Sequence, residues 1–176
     1  TTAPVITADI DIERPCDDYS DIYATAEDNC GEIVEFWYDE DMMSGGCVGT
    51  LVRTYYAQDE CGNVGEYIQI IHLIDDVAPE FTVFPADVTV ECDDVPDVQT
   101  DEIEFSDNCT EVTLTYDGEE RIDGDCEYNY TLLRTWTITD NCENTTTQTQ
   151  TITVQDTTIP EWVEDTLPMD ETLECS

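Results

Sequence analysis

Two kinds of side chain in this sequence could do chemistry: nine cysteines at regular intervals and the acidic residues set beside them. Cys16, Cys30, Cys47 and Cys61 are followed in the same register by Cys92, Cys109, Cys126 and Cys142, and Cys175 falls where a third set would begin. There is no Cys-x-x-Cys pair and one histidine, His72, so neither a zinc site nor a dithiol redox site is spelled out. Oxidation in pairs to disulfides is the chemistry that remains, and it places the protein outside the cytoplasm.

Glu27-Asp28-Asn29 precedes Cys30, Asp59-Glu60 precedes Cys61, Asp107-Asn108 precedes Cys109 and Asp140-Asn141 precedes Cys142. Short acidic joints, Asp75-Asp76-Val77-Ala78-Pro79 and Gln155-Asp156-Thr157-Thr158-Ile159-Pro160, add further carboxylates. Hard oxygen donors gathered on loops suit Ca²⁺, which takes roughly six to eight oxygens in loose geometry. Asp28, Asn29, Asp59, Asp75, Asp76, Asp107, Asn108, Asp140, Asn141 and Asp156 are therefore candidate calcium ligands. The competing reading needs no ion: Asp and Asn make side-chain-to-backbone turns after strands, and a Pro-stiffened joint is rigid by itself.

These residues need a frame to hold them. Forty-four Asp and Glu against four Arg give a net charge of −40, a balance typical of disorder, yet 40% of the residues are apolar and alternate along the chain. Folded modules with acidic faces follow. Such faces repel phosphate backbones and anionic lipid, which excludes nucleic acid and direct membrane insertion; divalent cations, basic proteins and neutral sugars remain as partners.

Alternating runs separated by turn-rich acidic segments predict tandem immunoglobulin-like antiparallel β-sandwich modules with two disulfides each, and no helix of useful length. In the second copy the expected strands are Phe81 to Glu91, broken at Pro85; Glu102 to Ser106; Glu111 to Tyr116, turning near Asp117-Gly118; Tyr128 to Thr139; and Thr145 to Gln155. In the first, Leu51 to Gln58 is the long strand and Tyr67 to Ile74 the last. With Ala3-Pro4, Ala78-Pro79 and Ile159-Pro160 as punctuation, the expected modules are 1–76 and 77–157, with 158–176 the first strand of a third. No signal peptide, membrane span or lipidation motif stands in the sequence, so export signal and anchor are expected elsewhere if this is an excerpt.

On such a sandwich the first and third cysteines of each set fall at one pole, the second and fourth at the other. The expected bonds are Cys16–Cys47, Cys30–Cys61, Cys92–Cys126 and Cys109–Cys142, with pairing of first to second and third to fourth as the rival. A loop of about 30 residues closed this way adds roughly 3 kcal/mol through the unfolded state. Cys175 has no partner within its partial module. Truncation of a longer array explains that better than exchange of Trp162 to Glu174 between molecules, because the first module already owns the equivalent strand, Val5 to Glu13.

Arg53 and Arg134 recur at one place in the two copies. Counting by two puts Arg134 in a stripe with Tyr128, Tyr130, Leu132, Trp136 and Ile138, and Arg53 beside Leu51, Tyr55 and Ala57. A structural guanidinium, paired with a carboxylate or stacked on an aromatic, is one expectation; a solvated outward Arg is the other. Asn108, Asn129 and Asn144 open N-linked sequons, and Thr157 and Thr166 fit an Asp-Thr-x pattern of bacterial O-glycosylation, against chance occurrence in a Thr-rich chain.

Val-Thr-Val-Glu-Cys-Asp-Asp-Val-Pro at 88–96, Ser-Asp-Asn-Cys at 106–109, Leu-Leu-Arg-Thr-Trp-Thr-Ile-Thr-Asp-Asn-Cys at 132–142 and Ile-Thr-Val-Gln-Asp-Thr-Thr-Ile-Pro at 152–160 carry a resemblance. They resemble the hyalin-repeat-like, immunoglobulin-like modules of giant Bacteroidota surface adhesins, of the kind linked to gliding motility and type IX secretion. Module one departs from the pattern at Gln58-Asp59-Glu60-Cys61 and at its joint. The joints are also loosely similar to the calcium-stiffened junctions of cadherins, without the cadherin Asn pattern. The resemblance implies an extracellular, cell-surface stalk or filament, adhesive or bearing a binding tip, whose partners are neighbouring repeats of the same or identical chains, with surface glycans or proteins beyond them. A calcium-dependent carbohydrate- or protein-binding module, stacking ligand on Trp37, Tyr38, Trp136 or Trp162, is the alternative. The residues point away from an enzyme, since one histidine supplies no base for a nucleophile and no phosphate loop is present.

Overall fold

The computed structural model describes residues 2–21 and 24–161. Among them it is all-β, with twelve strands and no helix. The first six are β1 (Val5–Thr7), β2 (Asp11–Pro15), β3 (Thr25–Glu27), β4 (Ile33–Met43), β5 (Gly49–Asp59) and β6 (Val64–Ile74). The second six are β7 (Glu80–Val83), β8 (Val88–Glu91), β9 (Glu104–Ser106), β10 (Val112–Asp123), β11 (Tyr130–Asp140) and β12 (Thr145–Gln155). Each set builds a two-stranded sheet, β1-β3 or β7-β9, and a four-stranded one, β2-β6-β5-β4 or β8-β12-β11-β10. The all-β sandwich expected from the alternation is what the chain forms.

Two local features differ from the strand reading. The ladders are antiparallel apart from β2–β6 and β8–β12, which are parallel. In both sets the chain leaves the two-stranded sheet and resumes as an edge strand of the four-stranded one; the second crossover contains Pro85, which has no N–H to give a ladder, and the first runs through Ala8-Asp9-Ile10 without a proline. The buried amides of Gln69 and Gln150 donate to the crossover carbonyls of Asp9 and Ala86, at 2.8 and 2.9 Å. Asp117-Gly118 is not a turn but a β-bulge, with Tyr116 opposite Trp136 and Gly118 opposite Thr135. Gly118 has φ 129°, which costs a residue without Cβ little, so β10 runs on to Asp123.

The long central strands set the core. β5 turns Leu51, Arg53, Tyr55, Ala57 and Asp59 inward, and β11 turns Leu132, Arg134, Trp136, Ile138 and Asp140 inward, so the period of two is unbroken from the apolar middle to the acidic tip. Leu51, Ile71 and Leu73 cluster in the first set as Leu132, Ile152 and Val154 do in the second. Trp136, fully buried, packs against Phe84 at 5.5 Å and Tyr116 at 5.2 Å; Tyr55 holds the same place between Phe36 and Tyr38. Burying one such ring stabilises the fold by about 2–3 kcal/mol.

Candidate functional site

The two strand sets meet at a junction built from one pole of each. Cys16 follows β2 and donates its N–H to the last carbonyl of β6, Ile74, at 3.0 Å. Cys47 lies just before β5, whose first residue Gly49 pairs with Leu73. Both therefore sit where β6 leaves the first set. Cys109 and Cys142 sit at the entry to the second set, where Val112 of β10 pairs with Asp140 of β11.

Disulfides cross this junction. Cys16 is bonded to Cys109 and Cys47 to Cys142, with Cα atoms 5.9 and 5.0 Å apart. The expected Cys16–Cys47 and Cys109–Cys142 bonds are thus replaced, and Cys30, Cys61, Cys92 and Cys126 are free thiols in place of the expected Cys30–Cys61 and Cys92–Cys126 bonds. The reading of two bonds within each module becomes two bonds between strand sets. The grouping of cysteines by pole agrees with the strand geometry; the partner changes because tandem stacking sets the exit pole of one set against the entry pole of the next. First then pairs with second and third with fourth, across the interface rather than within a set.

Three carboxylates converge beside these bonds. Oxygens of Asp75, Asp107 and Asp140 lie within 4.8 Å of one another. Asp75 comes from the joint after β6; Asp107 follows β9 and Asp140 is the last residue of β11, both at the entry pole. Asp140, 5% exposed, accepts from Cys142 N at 2.8 Å, Asn144 N at 2.9 Å and Asn144 Nδ2 at 2.8 Å. Asp107 Oδ1 accepts from Cys109 N at 3.0 Å and Thr110 N at 2.8 Å, while its Oδ2 is buried with no donor near it. Burial raises the Asp75 carboxyl above its ordinary range, against the Val77 N–H, and the Asp107 and Asp140 charges push it the same way. At Asp107 burial acts upward, but the N–H groups of Thr110, Cys109 and Asn108 outweigh it and hold the carboxyl low. A buried, donorless carboxylate oxygen inside a triad of hard oxygens fits a divalent cation better than it fits an Asx turn alone.

Other candidate ligands lie apart from this triad. Asn108 Nδ2 reaches across to Asp17 Oδ2 at 3.4 Å, and Asn141 offers its backbone N–H to Thr110 Oγ1 at 3.3 Å. Asp76 is exposed. Asp28 and Asp59 share a pocket with Cys30 and Cys61 at the entry pole of the first set, and Asn29 Oδ1 accepts from Thr2 Oγ1 at 2.6 Å. Asp156 is exposed after β12 and accepts from Thr158 N at 3.1 Å. The Thr157 hydroxyl, a glycan candidate, donates to Glu91; Cys175, Thr166 and Trp162 lie outside the described residues.

Reading by motif missed Asn144 and Thr110. Asn144 stands out in the sequence only as a sequon, yet Asp-x-Cys-x-Asn occurs at 59–63 as well as 140–144, and that shared spacing is the signal for it. Thr110 Oγ1 donates to Asp75 Oδ2 at 3.4 Å and so closes the triad from above.

The recurrent arginines tie the cysteine-bearing loops to the long strands. Arg134, 5% exposed, donates to Glu119 Oε2 at 2.7 Å, Pro96 O at 2.9 Å and Asp97 O at 3.1 Å. Arg53, 1% exposed, donates to Glu40 at 2.7 Å, Asp21 O at 2.9 Å and Tyr19 O at 3.0 Å, with Tyr38 beneath it at 4.9 Å. In each set one guanidinium donates to two carbonyls of the loop as well as to a strand carboxylate, and so fastens the loop to the long strand.

No protein-family model and no curated protein matches the chain. Among solved structures it is similar to Drosophila N-cadherin EC1-4, with a TM-score of 0.42 and 12% identity over 88% of this chain and 50% of that one. It is similar to human mucin-like protocadherin EC1-2 at 0.37 and 16%, covering 89% of this chain and 98% of that one. For the protocadherin GammaB4 extracellular domain the values are 0.36 and 14%, over 86% of this chain and 32% of that one. At these scores the likeness is one of general all-β character.

Proposed function

We propose that the chain is a non-enzymatic, extracellular structural and adhesive repeat segment: two modules, 1–76 and 77–157, joined into a stiff acidic stalk at the cell surface. The observation that carries this reading is the junction, where two disulfides fasten one strand set to the next beside a triad of carboxylates drawn from both. A flexible linker would need none of these. The motif resemblance to Bacteroidota surface adhesins supports the same reading and sets the finer expectation of a gliding-type filament.

Calcium at the junction belongs to the proposal. Asp75, Asp107 and Asp140 would hold it, and its charge would offset a repulsion worth roughly 1 to 4 kcal/mol per carboxylate pair, according to how far water screens it. The carbohydrate-binding alternative is less well supported. Trp136 is buried, Tyr38 lies against Tyr55 and Arg53, and Trp37 is stacked on Tyr56 at 5.3 Å.

Thermal melts of the oxidised chain, with calcium, magnesium or chelator at one ionic strength, test the reading. Calcium is expected to raise Tm by several degrees more than magnesium, and Asp107→Asn to abolish the difference. Equal curves in all three would remove calcium and leave the disulfides as the fastening; an oxidised chain whose two strand sets move independently in X-ray scattering would remove the stalk reading.

A further inference from the structure

Among the described residues, the entry pole of the first strand set and the exit pole of the second bear the four unbonded thiols. At the entry pole of the first set, Cys30 N donates to Asp28 Oδ1 at 2.8 Å and Cys61 N to Asp59 Oδ1 at 2.9 Å. Asn63 closes that loop on Asp59 through N at 2.8 Å and Nδ2 at 2.6 Å. Asp28 Oδ2 is buried and donorless, as Asp107 Oδ2 is. Cys109, Cys142, Asp107, Asp140 and Asn144 make the same set of bonds in the second half, where the preceding pole is docked on them. The entry pole of the first set is therefore preformed to receive such a pole.

The exit pole of the second set is its complement. Asp94 N donates to Glu91 O at 3.0 Å after β8, as Asp18 N does to Pro15 O at 3.1 Å after β2, and these turns bear Cys92 and Cys16. Cys126 lies between β10 and β11 as Cys47 lies between β4 and β5. Asp156 accepts from the N–H two residues on, as Asp75 does. All four of these unbonded thiols are at least partly accessible.

We propose that a second copy of this chain docks head to tail on the first, and that two disulfides, Cys92 to Cys30 and Cys126 to Cys61 of the next copy, close that joint. The pairing copies Cys16–Cys109 and Cys47–Cys142, and it brings Asp156 to Asp28 and Asp59 as Asp75 is brought to Asp107 and Asp140. Each bond takes two electrons from two thiols, and a disulfide oxidant such as glutathione disulfide accepts them. A cysteine thiolate displaces one glutathione thiolate, then the facing cysteine thiolate attacks the mixed disulfide and displaces the second, the two thiol protons leaving to solvent. Two acidic poles repel each other, so joining is expected to depend on a divalent cation.

The inference rests on the stalk reading and is tested apart from it. The full chain bearing Cys175→Ser is incubated with calcium in a glutathione redox buffer and run on non-reducing gels. A ladder of multimers is expected, with Cys92–Cys30 and Cys126–Cys61 cross-links on peptide mapping. Cys30→Ser/Cys61→Ser and Cys92→Ser/Cys126→Ser variants are each expected to stay monomeric alone and, when mixed, to give a band of twice the mass and nothing larger. Monomers holding Cys30–Cys61 or Cys92–Cys126 bonds, monomers with all four thiols free, or either variant dimerising alone would each overturn the inference. The first two outcomes are read on the chain without pole substitutions, so misfolding of a variant does not blur them. Calcium-dependent melting of the internal junction would survive that failure, which separates the two readings.

Discussion

Asn144 Nδ2 donates both to Asp140 Oδ2 at 2.8 Å and to the backbone carbonyl of Asp75 at 3.0 Å, so one side-chain amide closes its own loop and clasps the preceding joint. Asn63 makes the first of these bonds and has no joint before it among the described residues to make the second. The difference isolates the clasp. Asn144→Ala is expected to lower stability by about 2–3 kcal/mol in urea unfolding, because it strands a buried carboxylate oxygen and a carbonyl together. Asn63→Ala should cost about 1 kcal/mol less. Equal losses would show that the clasp contributes nothing beyond the loop.

Glu143 and Gly62 hold the same place in the two Asp-x-Cys-x-Asn loops, and both have positive φ, 69° and 83°. Glycine adopts that conformation freely, whereas a residue with a Cβ pays about 1–2 kcal/mol for it. Glu143→Gly is expected to stabilise the chain by roughly 0.5–1 kcal/mol, the relief less the added freedom of the unfolded chain. Gly62→Glu should destabilise by a similar amount. The pair is read by denaturant midpoints, and a loss on Glu143→Gly would mean that the Glu143 side chain contributes more than its backbone costs.

Local pattern spelled out most of the frame, and long-range choice did not appear in it. Alternation in Leu132, Arg134, Trp136 and Ile138 located the long strand and its inward face, because a pleated strand fixes side-chain direction residue by residue. The bulge at Gly118 was read as a turn, since Asp-Gly spells both and only the facing strand, which carries Trp136 and Thr135, decides between them. The pole of each cysteine followed from the strand it ends or opens. Its partner did not, because the sequence of one set says nothing about which pole is placed against it. The acid triad was legible as residue types; that Asp75 would meet Asp107 and Asp140 depends on the same docking.

Asp75 and Asp107 should pull stability in opposite directions with pH. The Asp75 carboxyl is raised in the folded chain from a reference of 3.8 by burial and by its acidic neighbours, so it favours folding below the unfolded value and loses that contribution as pH rises through the folded one. Asp107 is held below 3.8 by backbone N–H groups, against the upward effect of burial, so its contribution is full above the unfolded value and disappears as pH falls through the folded one. In chelator, Asp75→Asn is expected to raise Tm at neutral pH and to change little in acid. Asp107→Asn should lower Tm at neutral pH by a few degrees, and the loss should shrink in acid. With calcium bound the sign at Asp75 should invert, since the carboxylate then becomes a ligand and its replacement costs stability. Melts of the three chains from about pH 3 to 7.5, with and without calcium, check this. An Asp75→Asn gain that persists unchanged in calcium would show that Asp75 repels its neighbours without joining them around an ion.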